Sequence, residues 1–300
     1  MRDSTSGTLL ILGAATGFGT IGIFGEVAAA INLELSTLLP LQFAFSTAIV
    51  ASLALIRGWE FPGRDRKSLA TIALGGGYAV TNLLFFISLH YLTAGLAAIV
   101  LYTYPTFVII LASFFLDEPI TVRKVIALGL VTGGVVLVVG TETMDISQIG
   151  IGLALGAAIC ASVYTTGSRV VSASIGPRTL LIGVLAGATV SMFIFAIVVG
   201  RLSFPAGQDQ WGVVFGLTII STVIPHLLFY EGVSRLEASR VGVVSAAEPV
   251  VTVALGVLLL GETVTTFVLV GGVLVIGGVI LIQSDKSPEF PRAADTHSQP

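Results

Sequence analysis

The sequence predicts an all-α membrane protein of ten transmembrane helices, arranged as two inverted five-helix repeats around a central cavity with both termini in the cytoplasm. Three observations predict this. Charge is confined to short clusters between long apolar windows, one segment occurs twice in register, and Lys and Arg fall almost wholly on one side of the helices so drawn.

The windows come first. Of 300 residues, 55% are hydrophobic and 10% charged, with a mean hydropathy of +1.01, whereas an ordinary soluble domain carries roughly a quarter charged residues. About 20 apolar residues at 1.5 Å rise cross a hydrocarbon core of roughly 30 Å. Such windows place helices at 7–31, 35–56, 68–90, 94–116, 121–141, 149–171, 178–200, 212–234, 238–260 and 264–283. The connections are short, the longest being Arg57 to Lys67 and Arg201 to Trp211, so no soluble domain is inserted. The polar segment 284–300 has too little apolar surface to fold and is expected to be disordered. The apolar run at the N-terminus is too long for a signal peptide and lacks a small-residue cleavage site, so the first span is expected to be retained.

The repeat is carried by residues that do not recur freely in apolar sequence. Pro105, Leu116, Glu118 and Thr121 return as Pro249, Leu260, Glu262 and Thr265, all at an offset of 144, together with Phe85 as Phe229 and Gly133-Gly134 as Gly277-Gly278. Leu12-Gly13-Ala14-Ala15 returns as Leu155-Gly156-Ala157-Ala158 at an offset of 143. The repeats are therefore 1–143 and 148–283, followed by the tail 284–300. Five spans per copy is an odd number, so the second copy enters the membrane from the opposite side. Inverted repeats of this kind are the architecture of many secondary transporters.

Orientation follows from the basic residues. Of fourteen Lys and Arg, only Arg201 falls on one face of the ten helices; the other face collects the rest, from Arg2 through the Arg57–Lys67 loop to Arg292. The positive-inside rule then puts both termini in the cytoplasm.

Taken in order, these motifs resemble the EamA-type branch of the drug/metabolite transporter superfamily. The resemblance rests on two five-helix halves, a mid-helix proline in the fourth and ninth spans, Glu248-Pro249, Leu260-Gly261-Glu262, and glycine-rich fifth and tenth spans, and it runs from Gly7 to Ile282. The chain departs from the family pattern at Asp117, at Gly17-Phe18-Gly19 and at Gln42-Phe43. The resemblance implies ten helices around a central cavity, with the fifth and tenth peripheral. It also implies export or exchange of small metabolites, often amino acids, across the cytoplasmic membrane of a prokaryote.

Polar side chains are costly in hydrocarbon, so they turn inward and mark pathways or helix contacts. Tyr78, Asn82 and Phe86 form one face of the third span, and the same offset maps them onto Thr222, His226 and Tyr230 of the eighth. Ser245, Glu248 and Thr252 share a face of the ninth, and Tyr104 of the fourth occupies the position of Glu248. Glu248 lies about 15 Å from the cytoplasmic start of its helix and His226 about 20 Å from the external start of its own, both near mid-membrane. Two readings stand for them: a proton-sensitive pair, with Glu248 alternatively contacting the amino group of a substrate, or a buried acid and imidazole satisfied by neighbouring hydrogen bonds. Glu26, about 5 Å from the external end, is a third candidate for proton coupling or a carboxylate reaching interfacial water. Ser162, Tyr164 and Thr165 of the sixth span either face the cavity or bond to their own helix.

Pro105 and Pro249 each lack a backbone donor, so they are expected to kink their helices and to free the carbonyls of Leu101 and Ser245. Small-xxx-small pairs such as Gly129 with Gly133 and Gly183 with Gly187 read as packing surfaces, within one chain or between two in a homodimer. Glu118 and Glu262 read as first-turn anions of the fifth and tenth helices.

Several functions are excluded. A net charge of −3 without a basic patch argues against nucleic acid. One cysteine, Cys160, rules out an internal disulfide and a cysteine metal cluster. No metalloprotease, nucleophile-elbow or phosphate-loop motif is present, and Gly75-Gly76-Gly77 lacks the following Lys, so the chain is expected to be neither enzyme nor ATP-driven pump and to need no cofactor. The reading is a secondary transporter exporting small amino-acid-like or amphipathic solutes through the bilayer by alternating access. A passive channel and a non-transporting membrane scaffold are the alternatives.

Overall fold

The structure is a computed structural model that describes residues 2–115, 121–140, 147–201, 203–233, 235, 244–245 and 247–283. Its elements among these residues are helical throughout. They are α1 (Arg2–Gly19), α2 (Ile21–Ala30), α3 (Leu35–Arg57), α4 (Arg66–Ser88), α5 (Ala94–Leu101), α6 (Tyr104–Phe115) and α7 (Val122–Gly140). They continue with α8 (Gln148–Ile175), α9 (Pro177–Val199), α10 (Gln208–Thr218), a π-helical turn Ile219–Val223, α11 (Ile224–Val233), α12 (Ala247–Leu255) with a π-helical turn Gly256–Leu260, and α13 (Thr266–Gln283). Seven helical runs among the described residues are long and apolar enough to cross a membrane, from Thr5–Ala30 to Gln208–Phe229, and Ala247–Leu260 and Thr266–Leu281 are shorter apolar helices. Glu118, Arg240, the tail 284–300 and the side chain of Tyr230 lie outside what the structure describes.

Helix ends follow local chemistry. Gly58 and Gly200 adopt the left-handed conformation, with φ of 66° and 69°, and their N–H groups bond back to Ala54 and Ala196 at the ends of α3 and α9. The Thr93 hydroxyl accepts from the Leu96 N–H at 3.3 Å and caps α5.

Pro105 does something other than bend a continuous helix. The fourth span breaks outright at Tyr102-Thr103, and Pro105 falls in the first turn of α6, where a missing N–H has no intrahelical partner to lose. Pro249 stands in the described segment Ala247–Leu255, and Ala246, which separates it from the helical residues 244–245, lies outside the described residues. The first expected helix is also interrupted, at Thr20, whose hydroxyl bonds to the Gly17 carbonyl at 2.6 Å and to the Ser221 hydroxyl at 2.6 Å.

Packing is governed by close backbone approach. Helix α4 lies against α8 and α9, α3 against α9, α1 against α11 and α12, and α7 and α13 against each other at the periphery. A Cβ built on Gly75 would collide with the Val184 carbonyl oxygen, and one on Gly187 with the Ile72 carbonyl oxygen, so α4 and α9 meet backbone to backbone. At the other crossing, a Cβ on Gly134 would fall 2.6 Å from the Gly271 oxygen and one on Gly278 2.8 Å from the Ala127 oxygen. The main core joins Leu38, Phe43, Phe86, Leu185, Met192 and Leu217, and a smaller one joins Ile99, Tyr102, Val131, Val275 and Val279.

A β-branched side chain at Gly187 must push α4 and α9 apart, at a cost of about 2–3 kcal/mol. Gly187→Val is expected to lower the apparent melting temperature of the detergent-purified protein by roughly 5–10 °C. Gly133→Val, where a Cβ meets nothing within 4 Å, is expected to leave it within about 1 °C; equal losses at both positions would refute this packing account.

Candidate functional site

The site is built where the broken fourth span meets the proline-bearing α12. Pro249 has no N–H to offer the carbonyl one turn earlier, Ser245 O, and that carbonyl accepts instead from the Tyr102 hydroxyl at 3.0 Å. The same hydroxyl lies 2.8 Å from Glu248 Oε2. Tyr102 sits at the break between α5 and α6, fixed there because its N–H bonds to the Ala98 carbonyl at 2.9 Å and the helix restarts through Thr106 N–H to the Thr103 carbonyl at 2.9 Å. One tyrosine from the first half thus ties down both the freed carbonyl and the carboxyl group of the second.

Aromatic rings gather in two groups, one of them beside this carboxyl. The rings of Tyr78 and Tyr164 lie 5.1 Å apart, those of Tyr102 and Tyr104 5.8 Å, and Tyr78 meets Phe43 edge-on at 5.7 Å. Tyr78 also faces His226 at 6.2 Å, and the opposite side of that imidazole packs edge-on against Phe18 at 4.9 Å. Tyr78, Tyr104, Tyr164 and Glu248 keep partial exposure.

His226 is defined by its neighbour. Nδ1 stands 2.7 Å from the Thr222 carbonyl oxygen. A carbonyl only accepts, so Nδ1 carries the proton, and in neutral imidazole Nε2 presents a lone pair. Thr222 accepts from Gln42 Nε2 at 2.7 Å and donates to the Leu217 carbonyl at 3.1 Å, which places it in the joint between α3 and the π-helical turn rather than at the site.

The structure divides the remaining candidates. Asn82 Nδ2 donates to the Tyr78 carbonyl at 2.8 Å, and Ser162 Oγ to the Ile159 carbonyl at 2.6 Å, so both serve their own helices. Phe86 is buried against Gly25 of α2, and Thr252 donates to the Gly19 carbonyl at 3.0 Å, holding α12 on α1. Thr165 is half-buried on α8. Ser245 Oγ is buried with no hydrogen-bond partner.

Glu26 lies at a different place. Its Oε1 accepts from the Ala94 N–H at 2.7 Å, at the first turn of α5, and Glu262 Oε1 accepts from the same N–H at 2.8 Å. Glu26 therefore bonds within the bundle while keeping partial exposure. Glu262 caps the fourth span, not the tenth helix that follows it, because the left-handed Gly261 turns the chain back over Gly256.

Sequence reasoning missed Tyr102, Phe18 and the bond made by Gln42. Tyr102 had a signal: the expectation that Pro249 frees the Ser245 carbonyl implies a donor, and Tyr102 is a hydroxyl at matching depth in the other half. No sequence signal pairs Phe18 with His226.

The model of the EamA-like transporter family matches residues 5–140 and again residues 148–284. An uncharacterized transporter of Archaeoglobus fulgidus is 27% identical over 268 residues, covering 88% of this chain and 95% of its own length. The threonine/homoserine exporter RhtA of Escherichia coli strain K12 is 27% identical over 245 residues, covering 80% of this chain and 77% of its own length. A crystal structure of a protein 19% identical superimposes with a TM-score of 0.66 over 92% of this chain and 96% of that one, which shows a shared fold.

Tyr102→Phe removes the donor and Glu248→Gln alters the acceptor of one interior bond. Each is expected to destabilise the purified protein by about 1–3 kcal/mol, and together by about 1–2 kcal/mol less than their sum. Thermal unfolding of the two singles and the double measures this; additive losses would show that the bond contributes nothing.

Proposed function

The chain belongs to the EamA-like transporter family, and from that premise we propose that it is a secondary transporter exporting small amino-acid-like or amphipathic metabolites across the cytoplasmic membrane by alternating access. In this reading ten spans form two inverted repeats, 1–143 and 148–283, with both ends in the cytoplasm.

Three sets of contacts support the inverted repeat: exchanging the halves maps the first two onto themselves and brings the third to within two residues of its counterpart. The α4–α8 pairing becomes α11–α1, and α6–α8 becomes α12–α1. The approach of Gly134 to the Gly271 carbonyl becomes that of Gly278 to the Ala127 carbonyl at the offset of 144. Ser36 Oγ donates to the Arg201 carbonyl at 3.1 Å on one side, and Thr179 Oγ1, its equivalent at 143, donates to the Glu60 carbonyl at 3.0 Å on the other.

The observation that carries the transport reading is the Tyr102 hydroxyl, at the break of the fourth span, set between Ser245 O and Glu248 of the other half. A hydroxyl has one hydrogen. When Glu248 is ionised, Tyr102 donates to the carboxylate; when Glu248 is protonated, it donates to Tyr102, whose own hydrogen turns to the Ser245 carbonyl. Loading Glu248 with a proton or a substrate cation therefore changes what joins the halves, as a carrier requires. The name of the Escherichia coli relative supports amino-acid-like cargo.

Topology is tested by single-cysteine labelling in a Cys160→Ala background. Lys67→Cys is expected to react with an impermeant maleimide only from the cytoplasmic side and Arg201→Cys only from outside; labelling from one side overturns the inversion. Transport is tested by counterflow in proteoliposomes with threonine, homoserine and leucine. A carrier accumulates labelled solute at least about fivefold against an unlabelled internal pool, and Glu248→Gln is expected to reduce this about tenfold or more. Passive equilibration would indicate a channel, and no movement of any solute a scaffold.

A further inference from the structure

A basic surface lies where three spans end side by side. Helix α3 stops at Arg57, α4 starts at Arg66 and α9 starts at Pro177, and each of the three is long and apolar enough to cross a membrane. The segments 57–67 and 176–179 at these ends hold five basic side chains, Arg57, Arg64, Arg66, Lys67 and Arg178, against the acids Glu60 and Asp65. All five are exposed.

Local contacts hold this surface in shape. The Arg178 guanidinium lies 5.0 Å from the centroid of the Trp59 ring, which packs on the main core. Thr179 Oγ1 donates to the Glu60 carbonyl at 3.0 Å, the Gly63 N–H to Ser68 Oγ at 2.8 Å and the Trp59 N–H to the Ala54 carbonyl at 2.9 Å. A Cβ on Gly183 would collide with the Thr71 side chain, so the starts of α4 and α9 are pressed together. Helix electrostatics does not account for the charges. Arg66, Lys67 and Arg178 stand in the first turns of α4 and α9, at the ends where a helix dipole favours anions.

The neighbouring surface indicates what covers the charges. Leu55 and Ile56 at the end of α3 are 73% and 79% exposed, and Leu69 near the start of α4 is 55% exposed. Trp59 and the exposed Phe61 lie between the two helices, as aromatic residues do at headgroup depth. A partner that used the basic side chains alone would leave this apolar rim in water. One that joins an anionic head to hydrocarbon covers both.

We propose that this surface binds an anionic phospholipid, its phosphate on the basic side chains and its acyl chains along Leu55, Ile56 and Leu69. On the topology proposed above, the lipid belongs to the cytoplasmic leaflet. The binding does not depend on whether the chain transports a solute.

Trp59 and Trp211 are the two tryptophans of the chain, so Trp211→Phe leaves a single reporter inside the proposed site. The full-length variant is reconstituted in phosphatidylcholine vesicles containing a fraction of brominated phosphatidylglycerol or of brominated phosphatidylcholine. The anionic lipid is expected to quench Trp59 with an apparent affinity at least about fivefold that of the zwitterionic one. Adding Arg57→Gln, Arg66→Gln and Arg178→Gln is expected to cut this preference below about twofold, whereas lysine at the same three positions retains it. Removing as many charges elsewhere, by Arg123→Gln, Arg201→Gln and Arg235→Gln, is expected to leave it unchanged. In detergent micelles, phosphatidylglycerol is expected to raise the melting temperature of the unsubstituted protein by about 3 °C more than phosphatidylcholine does. Equal quenching by the two lipids, or a preference that survives the three glutamines, overturns the proposal. Loss of the preference on adding millimolar inorganic phosphate overturns it too, since the surface would then hold a free anion and not a lipid.

Discussion

One hydroxyl group, that of Tyr102, joins the two halves of this protein at a proline-bearing span. Pro249 offers no N–H to the Ser245 carbonyl, and a carbonyl left without its helical donor inside a membrane must find a partner elsewhere, since lipid supplies none. The Tyr102 hydroxyl answers for the Ser245 carbonyl and in doing so comes to rest on Glu248. Removing Pro249 would return the carbonyl to its own helix, and with it the reason for Tyr102 to cross to the other half. The polar site thus follows from a backbone deficit.

The glycine crossings explain why so small a deficit can matter. Where α4 meets α9 and α7 meets α13, backbones approach too closely for any side chain to intervene. These contacts are steric and leave little room for adjustment. The fourth span is different: it is split into two short helices joined by a turn, and hydrogen bonds to side chains accompany the break.

Much of the fold was legible in the sequence because its causes are local or periodic. Apolar windows, the offset of 144, and Gly58 and Gly200 at helix ends follow from composition and conformational preference. The site was legible in part. Glu248, His226, Tyr78, Tyr104 and Tyr164 were found because polar groups in apolar helices are few, and the structure gathers them. Phe86, Thr252 and Thr222 share those faces yet serve packing, because a shared face does not fix which neighbour a side chain meets. The breaks at Thr20 and Tyr102-Thr103 were not legible. Each is held by a partner far away in sequence, Ser221 for Thr20 and Glu248 for Tyr102. Glu262 shows the same limit: its spacing before Thr265 suggested a cap for the following helix, whereas the turn at Gly261 delivers it to Ala94.

The repeat also explains why the site is chemically one-sided. Duplication supplies matching positions, but Glu248 is matched by Tyr104, His226 by Asn82, and Thr222 by Tyr78. Gly134 and Gly278 keep equivalent backbone contacts in the two copies. Two carboxylates at the matching positions would repel, and the sequence keeps the acid in one copy and a tyrosine in the other. The repeat is thus retained where backbones meet and lost among the polar side chains.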